Sequence, residues 1–198
     1  AATKRERVII VAVRKDINID FEFPKATYGN KAFESKYPYL YIGLNNEVKP
    51  LRTVNDALST INYENKEDID NIPMQHSPKT IKRFTYIPEG DSIANHIDEL
   101  PEDLKISKFY SRGNTMRLAG DEPSPTLVPG HSNFPVHPKE DRSITVREAA
   151  CITGFPLDYV FFGSHSKRCE HVGNAVPPPL ARAIAKSVKL LLDKYYNS

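Results

Sequence analysis

Val8-Ile9-Ile10-Val11-Ala12-Val13 is a continuous apolar run, rich in β-branched residues, that begins at the eighth residue of the chain. Such a run reads as a strand covered on both faces, as in a parallel or mixed α/β sheet. A strand of that kind needs a neighbour on each side, and the first 25 residues supply none. Either strands from further along the sequence join it, or the rest of its sheet belongs to another polypeptide. The sequence leans to the second.

The segment after Phe21-Glu22-Phe23-Pro24 is irregular, with short strand-like runs such as Tyr39 to Leu44. Thr53 and Asp56 have capping-box spacing and open a helix over Val54–Leu58. Asn62–Ile72 is polar and acidic and reads as a loop, whereas Ser77-Pro78 starts a helix over Lys79–Phe84. Ile87-Pro88-Glu89-Gly90-Asp91 and Pro123-Ser124-Pro125 read as constrained turns. Thr145 caps a further helix with Glu148 as its partner, and Gly154 stops it in the left-handed conformation. From Pro179 the apolar residues Leu180, Ile184, Val188, Leu191 and Tyr195 recur at helical spacing, opposite Arg182, Lys186, Lys189 and Asp193. The expected segments are 1–25 (strand segment), 26–141 (irregular domain), 142–169 (framework helix and connection) and 170–198 (returning segment and helix).

With 198 residues the chain is long enough for one domain or two small ones. A hydrophobic share of 39% is low for a large autonomous core, and 16 prolines fix many turns and extended connections. No run of about 18 apolar residues argues for a membrane span, and no secretory leader is expected. Cys151 and Cys169 are the only cysteines. They fit a reducing cytoplasm, and none of the six histidines has metal-ligand spacing, so no metal is expected. The net charge of +2 is uninformative, but its distribution is not. Residues 26–141 carry thirteen basic and seventeen acidic side chains, yet Leu104–Gly120 contains no acid. There Lys105, Lys108, Arg112 and Arg117 are interleaved with Phe109 and Tyr110, a pattern suited to phosphate contact.

Gly173-Asn174-Ala175-Val176-Pro177, preceded by Thr145-Val146-Arg147-Glu148-Ala149-Ala150 and Gly154-Phe155-Pro156, resembles the last two signature blocks of the DNA (cytosine-5) methyltransferases. Thr3-x-Arg5-x-Arg7 is similar to the family's Gln-x-Arg-x-Arg block, with threonine at the glutamine position. Pro123-Ser124-Pro125-Thr126-Leu127 looks like its Thr-Leu site, and His76 with Arg83-Phe84 and Ile87–Gly90 resembles a recognition-domain framework of bacterial members. Cys151 and Thr153 stand where the family commonly has arginine and glutamine.

The resemblance covers the family's C-terminal half. It implies an α/β chain: one edge of a Rossmann-like S-adenosylmethionine-dependent methyltransferase domain plus a small, irregular, mostly β target-recognition domain. It further implies that Arg5 and Arg7 serve the cytosine, with Arg7 on its O2 as charge develops. Thr126 would bond the phosphate of the flipped nucleotide. Lys105, Lys108, Arg112 and Arg117 would contact DNA, and Arg142, Arg147 and Glu148 would form the framework. Asn174, Ala175 and Val176 would border S-adenosyl-L-methionine. The implied partners are double-stranded DNA with a flipped cytosine and the N-terminal catalytic half, as the same or a separate polypeptide, in the bacterial cytoplasm or nucleoid.

The family's nucleophile sits in a Pro-Cys-Gln-like loop, whereas Cys151 follows Ala150 and Cys169 follows Arg168. Its Glu-Asn-Val block and glycine-rich cofactor loop are also missing. The chain is therefore expected to be inactive alone, either as a natural subunit of a split enzyme or as a truncated piece of one. Two alternatives remain open: a non-catalytic DNA-binding or regulatory module derived from such an enzyme, and a protein-interaction domain that uses the C-terminal helix without DNA.

Overall fold

The computed structural model describes residues 1–36, 38, 48–107, 115–128 and 134–197. In chain order its regular elements are β1 (Thr3–Lys4), α1 (Lys31–Lys36), α2 (Val54–Leu58), α3 (Pro78–Phe84), β2 (Ser124–Pro125), α4 (Val146–Thr153), α5 (His165–Asn174) and α6 (Pro178–Tyr196). Short 3-10 turns at Ile69–Asn71, Ile93–Asn95, Ile97–Glu99 and Glu102–Leu104 complete the described set. The chain divides into two compact units, Ala1–Lys4 with Arg52–Ala175 and Arg5–Leu51 with Val176–Ser198. This differs from the expected segments, because the N-terminal stretch divides after Lys4 and residues 26–51 group with the C-terminal residues.

The first unit is built around α4. All eight of its residues are buried, so it has no solvent face. The caps are those the sequence encodes. The Thr145 hydroxyl accepts the Glu148 N–H, the Glu148 carboxylate accepts the Thr145 N–H, and Gly154 takes φ +91°. Around it pack Val54, Ala57 and Leu58 from α2, Cys169 and Val172 from α5, and Leu118, Leu127, Phe134, Ile144 and Phe161 from the connections. A second cluster joins Phe84, Ile87, Ile93, Leu100, Leu104 and Val136. The capping box at Thr53 and Asp56 forms as expected, and α3 starts at Pro78 with Ser77 as its cap. Helix α5 was not anticipated, because only Cys169, Val172 and Gly173 of its ten residues are buried and the apolar periodicity is weak.

Among the described residues of this unit, strand pairing is minimal. β1 and β2 form a two-stranded parallel ladder, with Thr3 opposite Ser124 and Lys4 opposite Pro125. Isolated bridges join Ser92 to Met116 and Val136 to both Arg117 and Ser143. The expected mostly β recognition segment is instead, among the described residues, a set of short helices, 3-10 turns and loops. Prolines such as Pro88, Pro101, Pro123 and Pro135 withhold the N–H groups that longer ladders need.

In the second unit, α6 presents the expected stripe. Leu191 is buried and Leu180, Ile184 and Tyr195 are half-buried, while Val188 lies at the exposed margin. Tyr28 and Lys49 form a parallel bridge, Phe21 and Phe23 meet edge to face, and Arg14 grips both carboxylate oxygens of Asp16. The expected strand at Val8–Val13 does not form. Val8 is 90% exposed and Ile10 87% exposed, since no described strand lies beside the run to complete its hydrogen bonds. The strand-like run Tyr39 to Leu44 lies outside the described residues.

Candidate functional site

The expected site residues fall into groups with different physical roles. The N-terminal block is anchored first. The Ala2 N–H donates to the Ile152 carbonyl at the end of α4, and the Ser124 N–H donates to the Ala2 carbonyl, both at 2.8 Å. Thr3 donates its hydroxyl to the Pro125 carbonyl, and the Lys4 ammonium lies 2.6 Å from Glu122. The Thr126 hydroxyl donates to the Lys4 carbonyl at 3.3 Å. The ladder thus joins two stretches some 120 residues apart in sequence, the one that leads into Arg5 and Arg7 and the one that carries Thr126.

In the second unit, Arg5 is half-buried and Arg7 exposed, with a guanidinium N–H of Arg7 on the Glu6 carbonyl. Burial, followed by the charge of Arg7, lowers the proton affinity of Arg5. Guanidiniums two residues apart suit carbonyl or anion recognition through paired hydrogen bonds.

Arg142, Arg147 and Glu148 take part in buried ion-pair networks. Glu148 is wholly buried and accepts two hydrogen bonds from Arg142. Burial opposes the Arg142 charge, but the bonds to Glu148 and Glu140 outweigh it and raise its proton affinity. The Tyr63 hydroxyl also donates to Glu148, and burial together with that carboxylate raises the phenol's pKa. Arg147 grips both oxygens of Asp68 and donates to the Tyr159 carbonyl. Asp70, 1% exposed, takes an N–H of Arg168 at 2.6 Å. Asp68, although desolvated, is held below the usual carboxylate range by Arg147. Buried charges persist only when paired in this way.

Arg117 departs from its expected DNA contact. It is buried, and its guanidinium donates to the carbonyls of Phe84, Ile87, His137 and Glu140 and to the Asp141 carboxylate. With every N–H donor committed, it joins two stretches of chain, 84–87 and 137–141, and has none left for a phosphate. The absence of nearby acids in the sequence reflects carbonyl ligands rather than an open cationic face. Lys105 remains at the surface, paired with Glu102 at 2.6 Å. Lys108 and Arg112 lie outside the described residues, as do Phe109 and Tyr110.

Asn174 is exposed at the last turn of α5, and Ala175 caps that helix with its N–H on the Val172 carbonyl. Val176, in the second unit, is 58% exposed. Both cysteines are buried. Burial pushes the Cys151 thiol up and the Cys169 thiol up to about 11, so neither carries appreciable thiolate near neutrality. Among the described residues no cluster of His, Cys, Asp and Glu could hold a metal ion, and no helix is long and apolar enough to cross a membrane.

Sequence reasoning missed Tyr63, Asp68, Asp70, His137 and Arg168. The one available signal was Arg168 following a serine N-cap at Ser164, which marks the start of α5.

Comparison with known proteins gives the family of the chain. The model of a family described as C-5 cytosine-specific DNA methylase matches residues 1–190. The type II methyltransferase M.Eco47II of Escherichia coli is 33% identical over 204 residues, which cover 96% of this chain and 43% of that protein. M.NgoFVII of Neisseria gonorrhoeae is 33% identical over 199 residues, covering 98% of this chain and 47% of its own length. The chain thus spans about half the length of these relatives. M.AquIB of a Picosynechococcus strain is 40% identical over 131 residues, covering 60% of this chain and 86% of the relative.

Proposed function

The chain belongs to the C-5 cytosine-specific DNA methylase family, and from that premise we propose that it supplies DNA target recognition and part of the cytosine and cofactor pockets of a cytosine-5 methyltransferase. The enzyme acts in a type II restriction-modification system, as the names of the relatives suggest. The reading rests chiefly on the two cysteines, both buried and both with their thiols pushed up. Methylation at C5 needs a thiolate to add to C6 of the cytosine, and a thiol held protonated in a core cannot add. The nucleophile therefore comes from an N-terminal catalytic half. M.AquIB lends support, since 131 aligned residues make up 86% of it, so a methyltransferase chain of comparable extent has a precedent.

In this reading Arg7 donates to O2 of the extruded base and stabilises the charge that develops as the thiolate adds, with Arg5 beside it. Asn174 offers both a donor and an acceptor to the amino-acid end of S-adenosyl-L-methionine, and its exposure at the end of α5 fits that role. Ala175 and Val176 follow with small or apolar side chains that let a ligand approach the backbone. S-adenosyl-L-methionine, when bound, supplies the methyl group. Lys105, Lys108 and Arg112 contact DNA phosphates. The unpaired Val8–Val13 run enters the sheet of the catalytic half, where strands on both sides bury it.

Two measurements test this reading. Size-exclusion chromatography of the chain with an N-terminal half from a full-length relative is expected to give a one-to-one complex. That complex is expected to bind the relative's DNA site, and replacing Lys105, Lys108 and Arg112 with alanine is expected to flatten its salt dependence. DNA binding by the chain without any association would favour the non-catalytic module. Association without DNA binding would favour the protein-interaction domain.

A further inference from the structure

Between α4 and α5 the chain shows water four large apolar side chains within six residues. Leu157, Tyr159 and Val160 are each about half exposed, and Phe162 is 76% exposed. Across 155–163 the one charged residue is Asp158. Single exposed apolar side chains are ordinary, whereas a cluster on one short connection marks a surface that meets a partner.

The connection is held in place by its own unit. The rings of Phe155, Tyr159 and the buried Phe161 stack pairwise, with centroids 4.8 to 5.1 Å apart. The Tyr159 carbonyl accepts an N–H of Arg147 at 2.9 Å, and Arg147 is in turn paired with Asp68. The Tyr159 N–H donates to the Pro156 carbonyl at 3.2 Å. Gly163 takes φ +98°, and Ser164 then caps α5. Val160 and Phe162 thus stand out on a fixed frame on either side of a core residue. A surface formed in advance loses little conformational freedom on binding.

We propose that this face, centred on Val160 and Phe162, docks the N-terminal catalytic half. The occupant follows from length and from position. M.Eco47II and M.NgoFVII are matched over 43% and 47% of their length, so more than half of such an enzyme has to pack against a region like this one. Asn174 closes the far end of α5, ten residues long, about 15 Å from Ser164 at the usual helical rise. A polypeptide that completes a cofactor pocket at Asn174 therefore stands within about one helix length of Phe162. That step rests on the cofactor role given to Asn174 above, whereas the exposure and the rigid frame of the patch do not depend on it.

Val160→Ser combined with Phe162→Ser removes the anchors at positions that carry little of the fold. Ile81→Ser, at another exposed apolar position of the same unit, is the control. In calorimetric titration of the full chain with the N-terminal half of M.Eco47II, the double variant is expected to bind about a hundredfold more weakly and the control within about twofold of wild type. Matching urea midpoints are expected for the three chains, which separates docking from folding. Without any variant, amide exchange at 157–163 is expected to slow several-fold in the complex. Unchanged affinity in the double variant, or unchanged exchange at these amides, would overturn the proposal while leaving the complex itself standing. No association of the wild-type chain with the half would end the reading of a shared enzyme, and the docking face with it. Sedimentation of the chain alone is expected to show a monomer. A dimer that Phe162→Ser dissociates would give the face to a second copy and overturn the proposal.

Discussion

Two N–H groups of Arg142 meet the two carboxylate oxygens of Glu148, at 2.8 and 2.9 Å, with Glu148 wholly buried at the N-terminus of α4. The same carboxylate closes the capping box through the Thr145 N–H at 2.7 Å. Arg142→Met would leave a buried carboxylate without its cation, a change that typically costs about 3–5 kcal/mol. Urea denaturation is expected to show a loss of that order. A loss below about 1 kcal/mol would mean that Glu148 is not dependent on Arg142.

Arg117 makes the corresponding case for the loops. Arg117→Lys keeps the charge but cannot reach four carbonyls and a carboxylate at once. Each buried acceptor left unpaired costs about 1–3 kcal/mol, so the variant is expected to lose at least about 3 kcal/mol in the same denaturation experiment. Its effect on DNA binding under folded conditions is expected to be small, with the salt slope unchanged. A flattened slope with native stability would return Arg117 to the DNA-contact set.

His137 ties stability to pH. Its Nδ1 accepts the N–H groups of Lys139 and Glu140, which requires the neutral ring. Burial lowers its pKa below the usual value, as it does for His76, whose Nε2 accepts the Ser143 N–H. A folded-state pKa below the unfolded one gives stability that is full above about pH 6.5 and lost as pH falls through the folded value. The urea midpoint is therefore expected to drop between pH 7.5 and pH 5.5. His137→Asn, whose amide oxygen can accept the same two N–H groups, is expected to show a smaller drop. An equal drop in the variant would remove His137 as a source.

The cysteines offer a rapid check on the core. With both thiols buried and pushed up, a thiol reagent at pH 8 is expected to label neither Cys151 nor Cys169 in the native chain and both in urea. Rapid native labelling of either would reopen its candidacy as a nucleophile.

What could be read from the sequence was local. Thr53 with Asp56, Thr145 with Glu148, and Gly154 announce helix ends because a cap is written within three or four residues. The Arg147–Asp68 and Arg168–Asp70 pairs, 79 and 98 residues apart, leave no comparable mark. Arg117 looked like part of a cationic stripe because its carbonyl partners have no sequence signature. Val8–Val13 is apolar and β-branched, but a strand is a property of two segments, and no second segment is described beside it. Helix α5 escaped because it buries only three of its ten residues.

The central claim is that this chain completes a methyltransferase whose nucleophile lies elsewhere. The direct test is transfer of labelled methyl groups from S-adenosyl-L-methionine to DNA by the chain alone, by an N-terminal half alone, and by the two together. The account predicts transfer only by the pair, abolished by removing the partner's nucleophilic cysteine and retained in a chain carrying Cys151→Ala and Cys169→Ala. Methyl transfer by the purified chain alone would contradict it.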